Sequence, residues 1–138
     1  MSPSADAPSS RTPAEVLGLS AGQLVQEFGY DDDVDLDLRD QIEDAVEGEL
    51  EYEDSQEIVD AVIVWWRKDD GDLTDALVDA LSSLTAGGPI WLLSPKPGRE
   101  GTVLQADVQD AASTAGLRVM STVSLAPDWL GTRLASRA

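Results

Sequence analysis

The chain has 138 residues and a formal net charge of −18, and it contains no cysteine and no histidine. Their absence excludes disulfides, thiolate nucleophiles, Cys/His zinc sites and imidazole acid–base catalysis. Because no apolar run is long enough for a signal sequence or a bilayer span, we expect no membrane association and a cytoplasmic location.

The negative charge is concentrated in one segment. Residues 27–60 hold 16 acidic side chains against a single base, Arg39. An acidic field of this size repels phosphate backbones, so we expect no direct nucleic-acid binding. Two interpretations stay open: the segment is a solvated face that maintains solubility, or it attracts a basic protein surface.

The first third of the chain predicts a tail, a strand and a helix. Residues 1–12 are rich in Ser, Pro and Ala without periodicity and predict a disordered tail, while residues 13–138 predict a single α/β domain. Residues 13–19 suit one helical turn, and residues 24–28 suit a modest strand. The spacing of Leu38, Ile42 and Val46 predicts an amphipathic helix over residues 35–47, opened by aspartates.

The centre of the chain predicts a strand–helix–strand unit. Residues 58–66 are apolar on both faces, as the inner strands of a parallel sheet are. Asp72 is placed to cap a helix with an apolar stripe, and Gly87, Gly88 and Pro89 follow that helix. Residues 90–93 then form a second buried strand.

The last third predicts a helix over residues 105–115, a strand over 117–125, a turn at 127–129 and an antiparallel return over 131–136. The predicted fold class is therefore α/β, a single open, mostly parallel, twisted sheet of about five strands with an antiparallel C-terminal hairpin. Right-handed crossovers that add each strand on the same side would place the helices mainly on one face. We expect a partner protein or a second copy of the chain to bury the other face.

This order of elements resembles a shortened, degenerate class I methyltransferase or Rossmann-like sheet, and residues 59–96 are similar to the later half of that fold. Four strings, QEFGYDDDVD, WWRKDDGDLTDALVDAL, GPIWLLSPKPGREG and DWLGTRL, resemble an actinobacterial family of small acidic proteins, the domain-of-unknown-function type DUF 3052. The resemblance covers residues 13–138. It implies a fold and a lineage and brings no catalytic residues with it.

Ligands of open parallel sheets bind beyond the carboxyl ends of the strands, where residues 30–33, 67–71 and 94–101 should meet. We expect no cofactor, because the glycine-rich turn of a methyltransferase or dinucleotide site and the P-loop are missing. The candidate ligand-binding residues are selected from these loops, with Trp66 added from the end of the strand before the second loop: Asp31, Asp32, Asp33, Trp66, Arg67, Asp69, Asp70, Ser94, Lys96 and Arg99.

Each candidate has a structural alternative. An EF-hand frame that starts at Asp31 has the wrong residues at positions six and twelve, so no metal site is predicted; a weak divalent-cation site of Asp31 to Asp33 with Asp69 or Asp70 is the alternative. Lys96 and Arg99 could hold an anion, but neutralisation of Asp31–Asp33 and Asp69–Asp72 is favoured.

The tryptophans are predicted mainly as core residues. Trp65 and Trp66 end one strand and leave it on opposite faces, so Trp65 is assigned to the core, whereas Trp66 packs there or walls a pocket. Trp91 belongs to the same cluster. Trp129, in the predicted turn, requires a contact inside or outside the chain.

The functional hypothesis is a non-enzymatic regulatory or adaptor protein that acts through an acidic surface on a degenerate methyltransferase-like scaffold. Its candidate partner-binding residues are Asp35, Asp37, Glu43, Asp44, Glu47 and Trp129. The alternative is a sensor or enzyme that binds a nucleotide-like or anionic ligand at the strand ends. No catalytic residue is assigned, because no nucleophile–base pair can be assembled.

Overall fold

The computed structural model describes residues 13–136, and the predicted tail at residues 1–12 lies outside the described residues. One open sheet of five strands has the order β1-β2-β3-β5-β4, and only β5 runs against the others. The predicted fold class is thereby confirmed. The strands are β1 Val25–Phe28, β2 Ala61–Trp65, β3 Ile90–Pro95, β4 Leu117–Ala126 and β5 Trp129–Ser136.

Four helices are described: α1 Pro13–Leu17, α2 Leu36–Val46, α3 Leu73–Leu81 and α4 Gln105–Thr114. Two of them begin at aspartate caps, as predicted. An oxygen of Asp35 accepts a hydrogen bond from the Leu38 amide (2.8 Å), and an oxygen of Asp72 accepts one from Asp75 (3.2 Å). Such caps satisfy amides that have no partner within the helix.

The central strand–helix–strand unit is confirmed. Strands β2 and β3 are parallel and adjacent, with Ile63 opposite Trp91, and every residue of both strands is buried. Strand β2 is shorter than the predicted range of residues 58–66. Val59 pairs instead with the segment after α3, and Ile58 is 67% exposed. Trp65 and Trp66 pack on opposite faces, as predicted.

Helices lie on both faces of the sheet, so the prediction of helices mainly on one face is wrong. Residues of α1 and α2 pack with Trp65 and Trp91 on one face. On the other face, α3 and α4 pack with Val64 and Leu92. The argument for an uncovered sheet face loses its basis with this correction.

Helices cover both faces because the chain makes a detour between α2 and β2, which was not predicted from the sequence. After α2 the chain pairs Glu51 with the outer edge of β1, through bonds from Glu27 N to Glu51 O (2.9 Å) and from Glu51 N to Val25 O (2.8 Å). It then crosses back to β2, and the side-chain amide of Gln26 donates to the crossing segment at the carbonyls of Tyr52, Glu53 and Ser55. Because α2 leads outward and α3 inward, right-handed connections place them on opposite faces.

The C-terminal hairpin inserts its second strand into the sheet. Strand β5 lies between β3 and β4, and its first residue, Trp129, pairs with Pro95. The prediction of Trp129 in a turn is therefore wrong. Its ring is only 4% exposed and meets the ring of Trp65 edge-on, with centroids 4.8 Å apart. A core contact within the chain accounts for this tryptophan.

Candidate functional site

The carboxyl ends of β1, β2 and β3 bring the three predicted loops together. The loop after β1 reaches the loop after β2 through Arg67, whose side chain donates to the carbonyl of Gly29 (2.7 Å). The loop after β3 joins them through the Lys68 amide, which donates to the carbonyl of Gly101 (2.9 Å). The connections reverse direction between β1 and β2, and ligands of open α/β sheets bind at such a switch point.

Arg67 is the central side chain of this region. Its Nε (3.0 Å) and its Nη2 donate to the two oxygens of the Asp33 carboxylate. Nη1 also donates to the carbonyl of Trp65 (3.2 Å) and to Asp70 (3.3 Å), and the guanidinium carbon lies 5.4 Å from the ring centroid of Trp129. One side chain thus connects the ends of β1 and β2 to the start of β5.

The electrostatics of this cluster follow from these contacts. Burial by itself would lower the pKa of Arg67, but its hydrogen bonds and charge interactions with Asp33 and Asp70 raise it above the ordinary arginine value. The hydrogen bond from Arg67 lowers the pKa of Asp33. Arg67 is therefore cationic, and Asp33 is ionised, throughout the physiological pH range.

Gly29 allows β1 and β2 to approach each other at the site. Its φ is +77°, and a Cβ at this position would lie 2.2 Å from the carbonyl oxygen of Trp65. The glycine therefore serves contact between two strands of the chain itself. In a glycine-rich cofactor turn, by contrast, the missing side chain leaves room for the ligand.

A cleft of ≈ 300 Å³, here called the strand-end cleft, opens beside Arg67. Four carboxylates line it against this one guanidinium, so its electrostatic character is acidic. Phe28, Tyr30 and Trp66 add aromatic surface. The full lining is Phe28, Gly29, Tyr30, Asp31, Glu53, Val64, Trp65, Trp66, Arg67, Asp70, Ala76 and Asp79.

An open groove of ≈ 640 Å³ shares Tyr30 and Glu53 with the strand-end cleft. Tyr52, which is 80% exposed, also lines this groove, as does Arg39. The guanidinium carbon of Arg39 lies 4.8 Å from the ring centroid of Tyr30 and supports that ring by a cation–π contact. Two tyrosines therefore border the approach to the cleft.

Glu27 fastens the floor of this region. Its carboxylate, only 7% exposed, accepts two bonds from Arg39 (2.7 and 2.9 Å) and one from the indole nitrogen of Trp65 (2.9 Å). These contacts join β1, α2 and β2. The hydrogen bonds from Arg39 to Glu27 raise the pKa of Arg39.

The remaining ligand-binding candidates separate. Asp31, Asp32 and Asp69 are exposed, and Asp31 Oδ1 accepts the amide of Asp32 (2.7 Å). Ser94 is buried at 1% exposure, and its hydroxyl has no hydrogen-bond partner. Among the described residues no group of three acidic side chains is arranged to hold a metal ion.

One positive residue of the third loop, Arg99, pairs with an aspartate outside the two predicted clusters. Arg99 pairs with Asp128 at 3.0 Å, and the Lys96 amide donates to the carbonyl of Asp128 (2.9 Å). The prediction that Arg99 neutralises Asp31–Asp33 and Asp69–Asp72 is wrong, because insertion of β5 brings Asp128 beside this loop. Arg67 instead pairs with Asp33 and Asp70.

The partner-binding candidates also divide. Asp35 caps α2, and a carboxylate oxygen of Glu43 accepts the Leu50 amide (3.0 Å), so both have structural roles. Trp129 is in the core. Three candidates remain exposed on or beside α2: Asp37, Asp44 and Glu47.

The sequence matches the family described as "Protein of unknown function (DUF3052)" over residues 14–138. The chain belongs to the DUF3052 family. Two uncharacterized proteins, from Mycobacterium tuberculosis and Mycobacterium bovis, are each 48% identical to this DUF3052 chain over 121 residues, which cover 88% of it and 76% of each relative.

Solved structures similar to this DUF3052 chain include methyltransferases. One is an S-adenosylmethionine-dependent methyltransferase from Aquifex aeolicus (TM-score 0.56, 14% identity, 97% of this chain and 98% of the other). Another is an S-adenosylmethionine-dependent enzyme from Thiobacillus denitrificans in complex with S-adenosyl-L-homocysteine (TM-score 0.58, 14% identity, 90% and 89%). At these identities the likeness shows a methyltransferase-like fold.

Within residues 13–136, no helix has the length and apolarity that crossing a bilayer requires.

Sequence reasoning missed Glu27, Tyr30, Glu53 and Asp79 as site residues. A signal for Glu27 existed: a carboxylate inside a strand pattern, with Arg39 as the one base nearby. Nothing marked Glu53, because its position depends on the detour along the edge of β1.

Proposed function

We propose that this protein binds a small nucleoside-type ligand that carries positive charge and no phosphate, in the strand-end cleft. The observation that supports the proposal is a cleft at the switch point between β1 and β2, lined by aromatic rings and four carboxylates. S-adenosylmethionine is the test ligand, because its sulfonium is cationic and methyltransferases of this fold bind it or its product.

The acidic lining favours this ligand class over the nucleotide-like or anionic ligands expected from the sequence. Asp31, Glu53 and Asp79 line the cleft together with one guanidinium, that of Arg67, which already pairs with Asp33 and Asp70. A phosphate would be repelled, whereas a sulfonium or a ribose hydroxyl group would find acceptors. Tyr30 and Trp66 offer surfaces on which a base can stack.

The ligand would lie differently from one held by a glycine-rich turn. Gly29 faces the backbone of β2, and the guanidinium of Arg67 covers the ends of both strands. Entry from the Tyr30 and Glu53 side, through the shared groove, is the route that avoids them. The proposal assigns binding and no methyl transfer.

Isothermal titration calorimetry and thermal shift with four ligands test the proposal. We expect S-adenosylmethionine to bind most tightly, S-adenosylhomocysteine and adenosine more weakly because they lack the sulfonium, and ATP not at all. Asp79→Asn should weaken the binding of S-adenosylmethionine roughly threefold and leave the affinity for adenosine unchanged.

Asp110→Asn is the matched control, since Asp110 is an exposed helical aspartate that does not line the cleft. Tyr30→Ala should weaken the binding of all the nucleosides tested. Binding of ATP as tight as that of adenosine, or no heat with any nucleoside, would overturn the proposal.

The acidic surface favours a second candidate, a basic protein partner in the cytoplasm. Asp37, Asp44 and Glu47 are exposed on or beside α2, and Arg39, the base of that segment, is turned to Glu27. Affinity purification from native cells with wild-type chain and with a triple Asn/Gln variant, together with cell fractionation, tests this role. Equal recovery of every co-purifying protein by both baits would refute it.

A further inference from the structure

A second pocket, of ≈ 350 Å³, lies between the beginnings of α3 and α4 and is here called the Leu104 pocket. It shares only Trp66 with the strand-end cleft, and this side chain is 9% exposed. Apolar side chains form much of its wall, and two charged side chains stand among them. The lining residues are Trp66, Lys68, Gly71, Leu73, Thr102, Val103, Leu104 and Asp107.

Leu104 breaks a local rule at this pocket. It occupies the position that caps α4, yet it provides no side-chain hydrogen bond, whereas α2 and α3 both begin at aspartate caps. Leucine is among the poorest residues for this position. Its side chain is also 69% exposed, so burial within the chain does not compensate. Local rules are broken without such compensation chiefly at functional sites.

The charged residues of the Leu104 pocket have opposite signs. Lys68 and Asp107 both line it, and among the described residues no ion pair joins them. Because their charges balance, the pocket does not select for net charge. A ligand with one positive and one negative group, attached to an apolar body, would complement both side chains and the wall.

We propose that the Leu104 pocket binds a zwitterionic α-amino acid with a large apolar side chain. The apolar group lies against Trp66, Leu73 and Leu104, the carboxylate faces Lys68, and the ammonium group faces Asp107. The pocket shares Trp66 with the strand-end cleft, but this proposal does not rest on the nucleoside proposed there. In this arrangement, contact between the Leu104 side chain and the ligand offsets the missing helix cap.

Calorimetry of the full chain with L-leucine, L-phenylalanine and L-tryptophan tests the site. We expect saturable binding of at least one of them. For phenylalanine, two analogues isolate the charges: 3-phenylpropionate lacks the ammonium group, and phenethylamine lacks the carboxylate. Each should bind at least tenfold more weakly than the amino acid. No binding by any of the three amino acids, or equal affinity for both analogues and phenylalanine, would overturn the proposal.

Leu104→Ser separates ligand binding from folding. Serine is a preferred cap, so the variant should melt at a higher temperature while it binds the amino acid at least fivefold more weakly. Val78→Ser is the matched control, because Val78 is a 51%-exposed apolar residue of α3 that does not line the pocket. A stabilised Leu104→Ser variant with wild-type affinity would contradict the assignment, whatever the strand-end cleft binds.

Discussion

Two arginine–carboxylate pairs lie near the carboxyl end of β1, and they differ in how deeply they are buried. In the Arg39–Glu27 pair the carboxylate is 7% exposed and also bonds the indole of Trp65. In the Arg67–Asp33 pair the buried member is the arginine, and the carboxylate is 53% exposed. The first pair joins three elements inside the fold, whereas the second leaves its acid in solvent beside the cleft. Depth, rather than the type of contact, should decide which pair stabilises the fold.

The largest effect should come from Glu27→Ala. It leaves the Arg39 guanidinium and the Trp65 indole without their shared acceptor in a buried site, and we expect a loss of about 3 kcal/mol in the free energy of unfolding. Urea denaturation measures it. Glu49→Ala, at an exposed position, should change stability by less than about 0.5 kcal/mol. Equal effects of the two variants would refute the role of depth.

Arg67→Ala should have the next largest effect, about 2 kcal/mol, because the carbonyls of Gly29 and Trp65 lose a charged donor. Arg67→Lys should recover only part of the loss, since an ammonium group cannot reproduce the planar set of donors. Denaturation curves of both variants give the comparison. Full recovery by lysine would show that charge alone, without the fork geometry, is sufficient.

Asp33→Asn should cost less than about 1 kcal/mol at pH 7, because this carboxylate is mostly in solvent. The pKa of Asp33 is lowered in the folded state, so its contribution is complete above the unfolded value of about 3.9 and is lost as the pH falls through the lower folded value. The stability difference between wild type and variant should therefore begin to shrink as the pH falls below about 4, and it should vanish only below the folded pKa. A difference that does not shrink as the pH is lowered below about 4 would contradict the assignment.

Salt should give the smallest effect and separate the two pairs. Raising NaCl from 0.05 to 1 M should remove most of the cost of Asp33→Asn, because a partly exposed pair is screened over a Debye length of about 3 Å at 1 M. The cost of Glu27→Ala should remain within about 0.5 kcal/mol of its low-salt value. Stability measured at both salt concentrations checks this, and equal screening of the two pairs would oppose the distinction.

Much of the fold follows from local patterns. Runs that are apolar on both strand faces, the stripe of α3 and the capping positions of Asp35 and Asp72 each depend on neighbours in sequence, and each was predicted. The meeting of the three loops was also predicted from the sequence, because parallel strands present their carboxyl ends at one edge of the sheet. Arg67 was identified as a candidate on this basis, but its acceptors were not.

The errors have one kind of cause, which is contact between segments far apart in the chain. The detour of Glu51 along β1 put α2 on the second face and brought Glu53 to the cleft. Insertion of β5 beside β3 buried Trp129 and gave Arg99 a partner in Asp128. No pattern within either segment specifies which distant strand edge it will join.

By itself, the sequence determined the α/β class, the central β2–α3–β3 unit, the acidic character and the family resemblance, because periodicity, capping and composition act over short ranges. Only the tertiary structure decided which helices cover which face, which acid each arginine binds and where the clefts open. The reason is that a strand edge accepts many partners with similar hydrogen bonds, and the choice depends on the summed packing of the whole chain.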